Sequence, residues 1–388
     1  MQPKRFTFCS LPFQHNTPKM PSIFRAFLLL TAGLLLTTCT DPVVPVYQFE
    51  TGFLLLEGRI TDTPGYSEVR LSRSEFLFDN YTLSPEMGAT VSSVSNDGEE
   101  VRWEQVGGTS AFRAPEGWAA ESNKSYSLRV LTSQGEVIES EAERTPTNVS
   151  IQNARVTFDQ ESYFSTGRDR FIPAFTLLVD VDDPAGEDNF YQYRYTTFEM
   201  IDVCASCERA RWRDGVCIAG PDTRFVSRWD YLCDAPCWVF SNSRDLNILS
   251  DEFSQGQRIE NIPAGRFDYA RPGGLLFDVQ QYSTSAAAFA FNSTLKELSD
   301  GSGGLNAPLP AALVGNLTDV SENETPVLGF VGVSSVSAER VYINRESFGG
   351  TSLPFDSQIR LEPVMPSPPV APCEGTSRTR NEPNGWGG

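Results

Sequence analysis

The sequence predicts a mainly β protein: an N-terminal immunoglobulin-like β-sandwich, then a larger β-rich domain with one amphipathic helix and a disulfide-stapled insertion. Three observations predict it. Short apolar–polar alternations of period two, separated by Gly, Asn-Asp and Pro turns, recur along most of the chain, as half-buried strands require. Only one segment spaces its apolar residues as a helix does. Six cysteines stand behind a secretory leader, where an oxidising compartment favours disulfides.

The leader comes first. Arg25 precedes an apolar run over residues 26–36, which closes on Leu36-Thr37-Thr38-Cys39. A run of about eleven residues is too short for a bilayer core, which needs about 20 helical residues, so it reads as a signal peptide ending in a lipobox. Residues 1–38 are therefore expected to be removed, with lipidation of Cys39; Met20 offers a second start from which the signal is still whole. Residues 39–50 carry Pro42 and Pro45 and read as an extended, lipidated tether.

Residues 51–146 form the expected sandwich. Val69 and Leu71 alternate with charged neighbours, as do Tyr126, Leu128 and Val130 with polar ones. Asn96-Asp97-Gly98, Gly107-Gly108 and Gln134-Gly135 supply the positive φ angles of tight turns. About seven short strands with such turns fit two packed antiparallel sheets. Arg144-Thr145-Pro146 marks the boundary.

Residues 147–348 form the second, larger domain. Residues 175–182 and 190–200 read as strands flanking the acidic turn Asp182-Asp183-Pro184-Ala185-Gly186-Glu187-Asp188-Asn189. Its carboxylates suggest calcium, but Pro184 stands where a third alternate ligand from Asp180 and Asp182 would be needed, so a solvated turn is the better reading. Leu275, Phe277 and Val279 share a strand face, and Ala288, Phe291, Leu295 and Leu298 recur at helical spacing over residues 283–298. Residues 327–337 and 341–343 supply closing strands. Residues 349–388, with Pro363, Pro366, Pro368, Pro369 and Pro372, read as a tail along the surface.

Once Cys9 leaves with the leader and Cys39 takes lipid, Cys204, Cys207, Cys217, Cys233, Cys237 and Cys373 remain, an even set for disulfides whose pairing the sequence leaves open. Cys204-x-x-Cys207 with Cys233-x3-Cys237 also has zinc-like spacing, which the secretory context disfavours. Five of the six lie in residues 200–240, a polar insertion with little strand pattern. Trp212, Trp229, Tyr231 and Trp238 lie among them and are candidate ligand-binding rings, although packing against the sheet explains them as well.

Composition narrows the chemistry. The formal net charge is −19 from 31 bases and 50 acids; losing Lys4, Arg5, Lys19 and Arg25 leaves 27 bases and −23. Such a charge opposes nucleic acid and anionic lipid surfaces. The one histidine, His15, goes with the leader, so the remainder has no imidazole for triads, zinc ligation or general-base work. No nucleophile elbow, phosphate loop or dinucleotide fingerprint occurs. No catalytic residue, metal or cofactor is therefore expected, and the reading is that of a non-enzyme.

Several segments then match a known family in order. They are Leu56-Glu57-Gly58-Arg59-Ile60-Thr61-Asp62, Val69-Arg70-Leu71-Ser72-Arg73-Ser74, Pro85-Glu86-Met87-Gly88-Ala89-Thr90-Val91, and the acidic turn running on to Phe190-Tyr191. Cys237-Trp238, Asp245-Leu246-Asn247-Ile248-Leu249-Ser250-Asp251-Glu252-Phe253 and Val327-Leu328-Gly329-Phe330-Val331-Gly332 continue the match, and the tail keeps Cys373, Gly375-Thr376 and Pro383. On these residues the chain resembles the Bacteroidota lipoproteins grouped as domain-of-unknown-function family 4249. The resemblance implies an outer-membrane lipoprotein encoded beside a TonB-dependent receptor of the starch-utilisation type, and it carries over no catalytic residues. The acidic run that would mark surface export is weak after Cys39, so the membrane face stays open. The expected role is a lipid-anchored accessory to such a receptor in nutrient binding or uptake; the alternative is a structural or adhesive envelope lipoprotein without a small ligand.

Overall fold

The strands follow in chain order. The first ten are β1 (Leu54–Thr61), β2 (Glu68–Leu77), β3 (Asn80–Pro85), β4 (Thr90–Ser95), β5 (Glu100–Arg102), β6 (Glu104–Gln105), β7 (Ala111–Arg113), β8 (Ser125–Leu131), β9 (Val137–Ser140) and β10 (Glu143–Arg144). Then come β11 (Ile151–Ser165), β12 (Arg170–Asp182), β13 (Phe190–Glu208), β14 (Arg211–Arg213), β15 (Val216–Ile218), β16 (Trp229–Asn242), β17 (Asn247–Ser250), β18 (Arg258–Asp268) and β19 (Gly274–Thr284). Helix α1 (Ala286–Gly301) precedes β20 (Leu317–Asp319), β21 (Val327–Leu328), β22 (Val331–Asn344) and β23 (Arg378–Thr379). These come from a computed structural model, which describes residues 52–77, 80–208, 211–213, 216–218, 229–301, 313–322, 325–354, 373 and 377–388. For residues 77, 81, 202–208, 211–213, 216–217, 229–236 and 300–301 only the backbone is described. Among the described residues, the mainly β class, the single α-helix and a disulfide are as the sequence predicts.

One long sheet organises the molecule, in the order β23-β16-β13-β19-β22-β1-β2-β7-β6, with β17, β21 and β3 paired at its flanks. Two smaller sheets accompany it, β20-β9-β8-β4-β5 with β10, and β11-β12-β18. The residues on one face of the long sheet, odd-numbered in β2, β13, β19 and β22 and even-numbered in β1, make both cores. Val331 and Val333 join Leu54, Ile60, Leu128 and Ile138 in one. Val341 and Ile343 join Phe277, Tyr191, Phe175 and Val179 in the other. The two smaller sheets therefore lie side by side on one face of the long sheet, and β22 passes from the first core to the second.

That course changes the domain picture. The cores do divide near residue 146, but the backbone does not: β1 runs parallel to β22 through Gly58↔Val331 to Thr61↔Ser334, and β20 pairs with β9. The expected sandwich at 51–146 thus takes strands from residues 317–344, and residues 51–388 form one compact unit. Parallel neighbours so distant in sequence leave no local signal.

The cysteine-bearing stretch also departs from expectation. Residues 200–240 were expected to have little strand pattern. They instead continue the β13–β16 hairpin, from Thr196↔Asn242 out to Glu208↔Trp229, with β14–β15 as a small hairpin between the two strands.

Side chains complete the edges where ladders stop. Beyond the end of β19, the free edge of β22 is met by Asn316, which accepts from Val331 N at 3.0 Å and donates to Val331 O at 2.9 Å, and by Glu143 Oε2, which accepts from Val333 N at 2.9 Å. Glu143 also accepts from Ser285 Oγ at 2.6 Å, and Ser285 caps α1 by accepting from Ala288 N at 3.0 Å. One buried carboxylate thus ties sheet edge to helix start, and its burial pushes its pKa up. The helix starts at Ala286, because β19 continues through Thr284.

In the second core's outer layer, Asp180 accepts from Asn261 N at 2.8 Å, Asn153 Nδ2 at 3.1 Å and Arg155 Nη1 at 2.9 Å. The Asn261 N–H, with these side chains, pulls its pKa down from 3.8 to about 2. A carboxylate lowered in the folded state stabilises above its unfolded pKa, and that contribution goes as pH falls toward the folded value. We therefore expect stability to decline from about pH 4 to about pH 2, and Asp180→Asn to flatten this limb in urea titrations at stepped pH.

Candidate functional site

The opposite residues of the long sheet, even-numbered in β13, β19 and β22 and odd-numbered in β1, make its outer face, which neither smaller sheet covers. Its two ends are occupied. At one, α1 lies down with Phe289 against Phe190 (centroids 4.9 Å) and Phe291 against Phe330 (5.1 Å). At the other, Trp386 packs against Tyr342 (5.3 Å) and edge-on to Trp238 (6.2 Å). Gly274 makes room there, since a Cβ would stand 2.5 Å from Tyr342 Oη and 3.1 Å from Trp386.

The tail reaches this position by lapping round the sheet edge. Cys237 and Cys373 form a disulfide on the inner side, with Ile201 and Val239; β23 then pairs with β16 as the edge strand, and Trp386 arrives outside. The bond closes a loop of sequence separation 136. Cys373→Ser is expected to lower stability by about 2–3 kcal/mol, read by chemical denaturation, with Trp386 becoming solvent-exposed in its fluorescence. Cys204, Cys207, Cys217 and Cys233 have backbones within strands, but their side chains lie outside the described residues, as do those of Trp212, Trp229 and Tyr231.

Trp238, the remaining candidate ring, is 5% exposed under Trp386. A ring so covered offers no open face, so packing accounts for it. The acidic turn likewise divides rather than converges. Asp183 accepts from Tyr191 Oη at 2.5 Å and Gly256 N at 3.0 Å, Asp182 pairs with Arg258 at 3.3 Å, and Asp188 accepts from Gln255 at 3.0 Å. Burial and the Asp183 carboxylate push the Tyr191 hydroxyl up. Among the described residues no group of three potential metal ligands comes together.

Between the two covered ends lies a polar strip that the sequence reading passed over. Arg59 of β1, Gln192 and Arg194 of β13, and Asp278, Gln280 and Tyr282 of β19 share it, set by the registers Gln192↔Tyr282 and Arg194↔Gln280. The Arg59 guanidinium lies 3.9 Å above the Tyr282 ring and donates from Nη2 to Gln192 Oε1 at 2.9 Å. Its Nη1 is buried without a hydrogen-bond partner. Desolvation, and then the Arg194 charge, pull the group down to about 10, so it stays cationic at neutral pH. Asp278, the acid of this strip, is answered by Arg340 at 3.0 Å. Tyr66, from the β1–β2 loop, comes near enough for Asp278 to add to the burial that pushes its hydroxyl up. The signal was present in Tyr191-Gln192-Tyr193-Arg194-Tyr195, where three tyrosines take the core face and leave Gln and Arg on the other.

The family model described as "Domain of unknown function (DUF4249)" matches residues 40–340. The chain belongs to the DUF4249 family. The DUF4249 match takes in the first core, nearly all of the second, the outer strip and the helix, and ends within β22 before Ile343 and the tail. No curated protein matches the sequence. A solved structure described as "Structural basis for the promiscuous specificity of the carbohydrate-binding modules from the beta-sandwich super family" aligns over 57% of this chain and 96% of its own at 10% identity. Its TM-score of 0.13 carries no argument about fold or ligand. No helix among the described residues is long and apolar enough to cross a membrane.

Proposed function

We propose that this DUF4249 chain is an outer-membrane lipoprotein of a Bacteroidota cell envelope, anchored through Cys39, that acts without catalysis beside a TonB-dependent receptor in nutrient binding or uptake. The observation that carries the reading is Leu36-Thr37-Thr38-Cys39 closing a short apolar run. The family match supports it by beginning at residue 40, directly after that cysteine. The outer strip supports the binding half, since the exposed Arg194 and the half-buried Gln280 stand there between two covered ends.

The test is a gentle detergent extraction of native outer membranes with the protein tagged at its C-terminus, followed by mass spectrometry. A TonB-dependent receptor in stoichiometric yield is the expected result. Recovery of the lipoprotein alone contradicts the receptor partnership and moves the reading to a structural or adhesive envelope protein.

A further inference from the structure

Arg59 and Arg194 are set apart from most arginines of this acidic chain. Arg73 is held by Glu86 and Glu136, Arg155 by Asp180, Arg340 by Asp278 and Arg345 by Glu199. Arg59 has no carboxylate among the described residues, and one of its nitrogens is buried with no partner at all. Arg194, exposed on the neighbouring strand and close enough for its charge to act on Arg59, has no ion pair or hydrogen bond among the described residues. Two like charges held close together repel, and a buried donor left empty costs free energy that a suitable acceptor recovers. The acid of the strip, Asp278, is taken by Arg340 and leaves Arg59 and Arg194 without a carboxylate partner among the described residues.

The rest of the strip is arranged around that pair. Tyr282 supports the Arg59 plane from below, and its hydroxyl donates to Gln280 Oε1 at 3.0 Å, which fixes the Gln280 amide beside Arg194 on the register. Gln192, 4% exposed, holds Arg59 through its oxygen and keeps its own N–H2 as a donor. The guanidinium and amide donors of the strip suit a planar or tetrahedral oxyanion on a hydroxyl-rich ligand.

We propose that the Arg59–Arg194 pair on the outer sheet face is a binding site for the carboxylate or sulfate group of an acidic oligosaccharide. This rests on the nutrient-binding reading above and names its ligand class. The anion sits over Arg194, with Arg59 beneath as the fixed positive base, and the sugar lies along the strip between α1 and Trp386.

Titration calorimetry on the purified soluble part from residue 40 onward, which includes the whole compact body, tests it with trigalacturonate, a sulfated trisaccharide and maltotriose. At least one of the two charged sugars is expected to bind, more weakly as NaCl is raised, and maltotriose not to bind. Arg194→Ala, which removes no hydrogen bond or ion pair among the described residues, is expected to weaken binding roughly tenfold or more with the melting temperature unchanged. Arg59→Gln, judged only if its melting temperature is retained, is expected to do the same. Binding of neither charged sugar, equal binding by Arg194→Ala, or equal binding of maltotriose overturns the proposal. A receptor co-purifying with a protein that binds neither charged sugar leaves the accessory role standing and removes only this ligand class.

Discussion

Replacing Arg345 with leucine is expected to cost about 3–5 kcal/mol of folding stability, measured by urea denaturation. The side chain is 1% exposed and its fork is fully used. Nε donates to Gly273 O at 3.0 Å, Nη2 to Pro272 O at 2.9 Å and Gly274 O at 3.3 Å, and Nη1 meets Glu199 at 3.1 Å. Leucine fills part of the volume but leaves these carbonyls without their donor and Glu199 with Arg271 alone. Burial lowers the Arg345 pKa, and Glu199 opposes that effect, so the charge is retained by its partner. Arg345→Lys is expected to recover only a minor share, since one ammonium cannot span an acid and three carbonyls as a planar fork does.

Gly329→Ala is expected to destabilise by about 3 kcal/mol or more, through backbone rather than side-chain packing. Gly329 has φ +110°, and a Cβ there would stand 2.1 Å from Leu56 O and 2.9 Å from Leu56 C. Neither atom can move without opening the parallel run in which Leu55↔Leu328 precedes Gly58↔Val331. Gly315 closes on the same point from the other side, where its Cβ would meet Gly329 O. Limited proteolysis of the variant should release fragments split between residues 313 and 331, whereas the wild-type chain should resist. An unchanged denaturation midpoint would mean that β1 and β22 are not coupled as described.

These two sites also mark how far the sequence could be read. Local chemistry was legible: Val69, Leu71, Tyr126 and Leu128 are buried as their alternation required, and Gly98, Gly108 and Gly135 take positive φ in the turns. The face of β19 was legible for the same reason, with Leu275, Phe277 and Val279 inward. What was hidden was long-range. Nothing near Gly58 says that its parallel neighbour is Val331, because that pairing is set by how two cores share one sheet. Strand β11 carried a weaker signal, because Ala154, Val156 and Phe158 alternate toward the core only partly buried and the register shifts after Asp159.

The candidate site was hidden differently. Aromatic residues near cysteines drew the sequence reading to Trp238, which the tail covers. The polar strip instead uses Arg59, Gln192 and Gln280, ordinary polar residues whose meaning appears only when β1, β13 and β19 bring them onto one face. An unpaired arginine cannot be recognised until its neighbours are known.

The anchoring claim underlies the whole functional account, and intact mass spectrometry of the N-terminal peptide from isolated membranes tests it most directly. The account predicts a peptide beginning at Cys39 that carries the mass of a diacylglyceryl group and an acyl chain, and Cys39→Ser should abolish that peptide and the membrane association. An unmodified Cys39, or a mature N-terminus elsewhere, would contradict it.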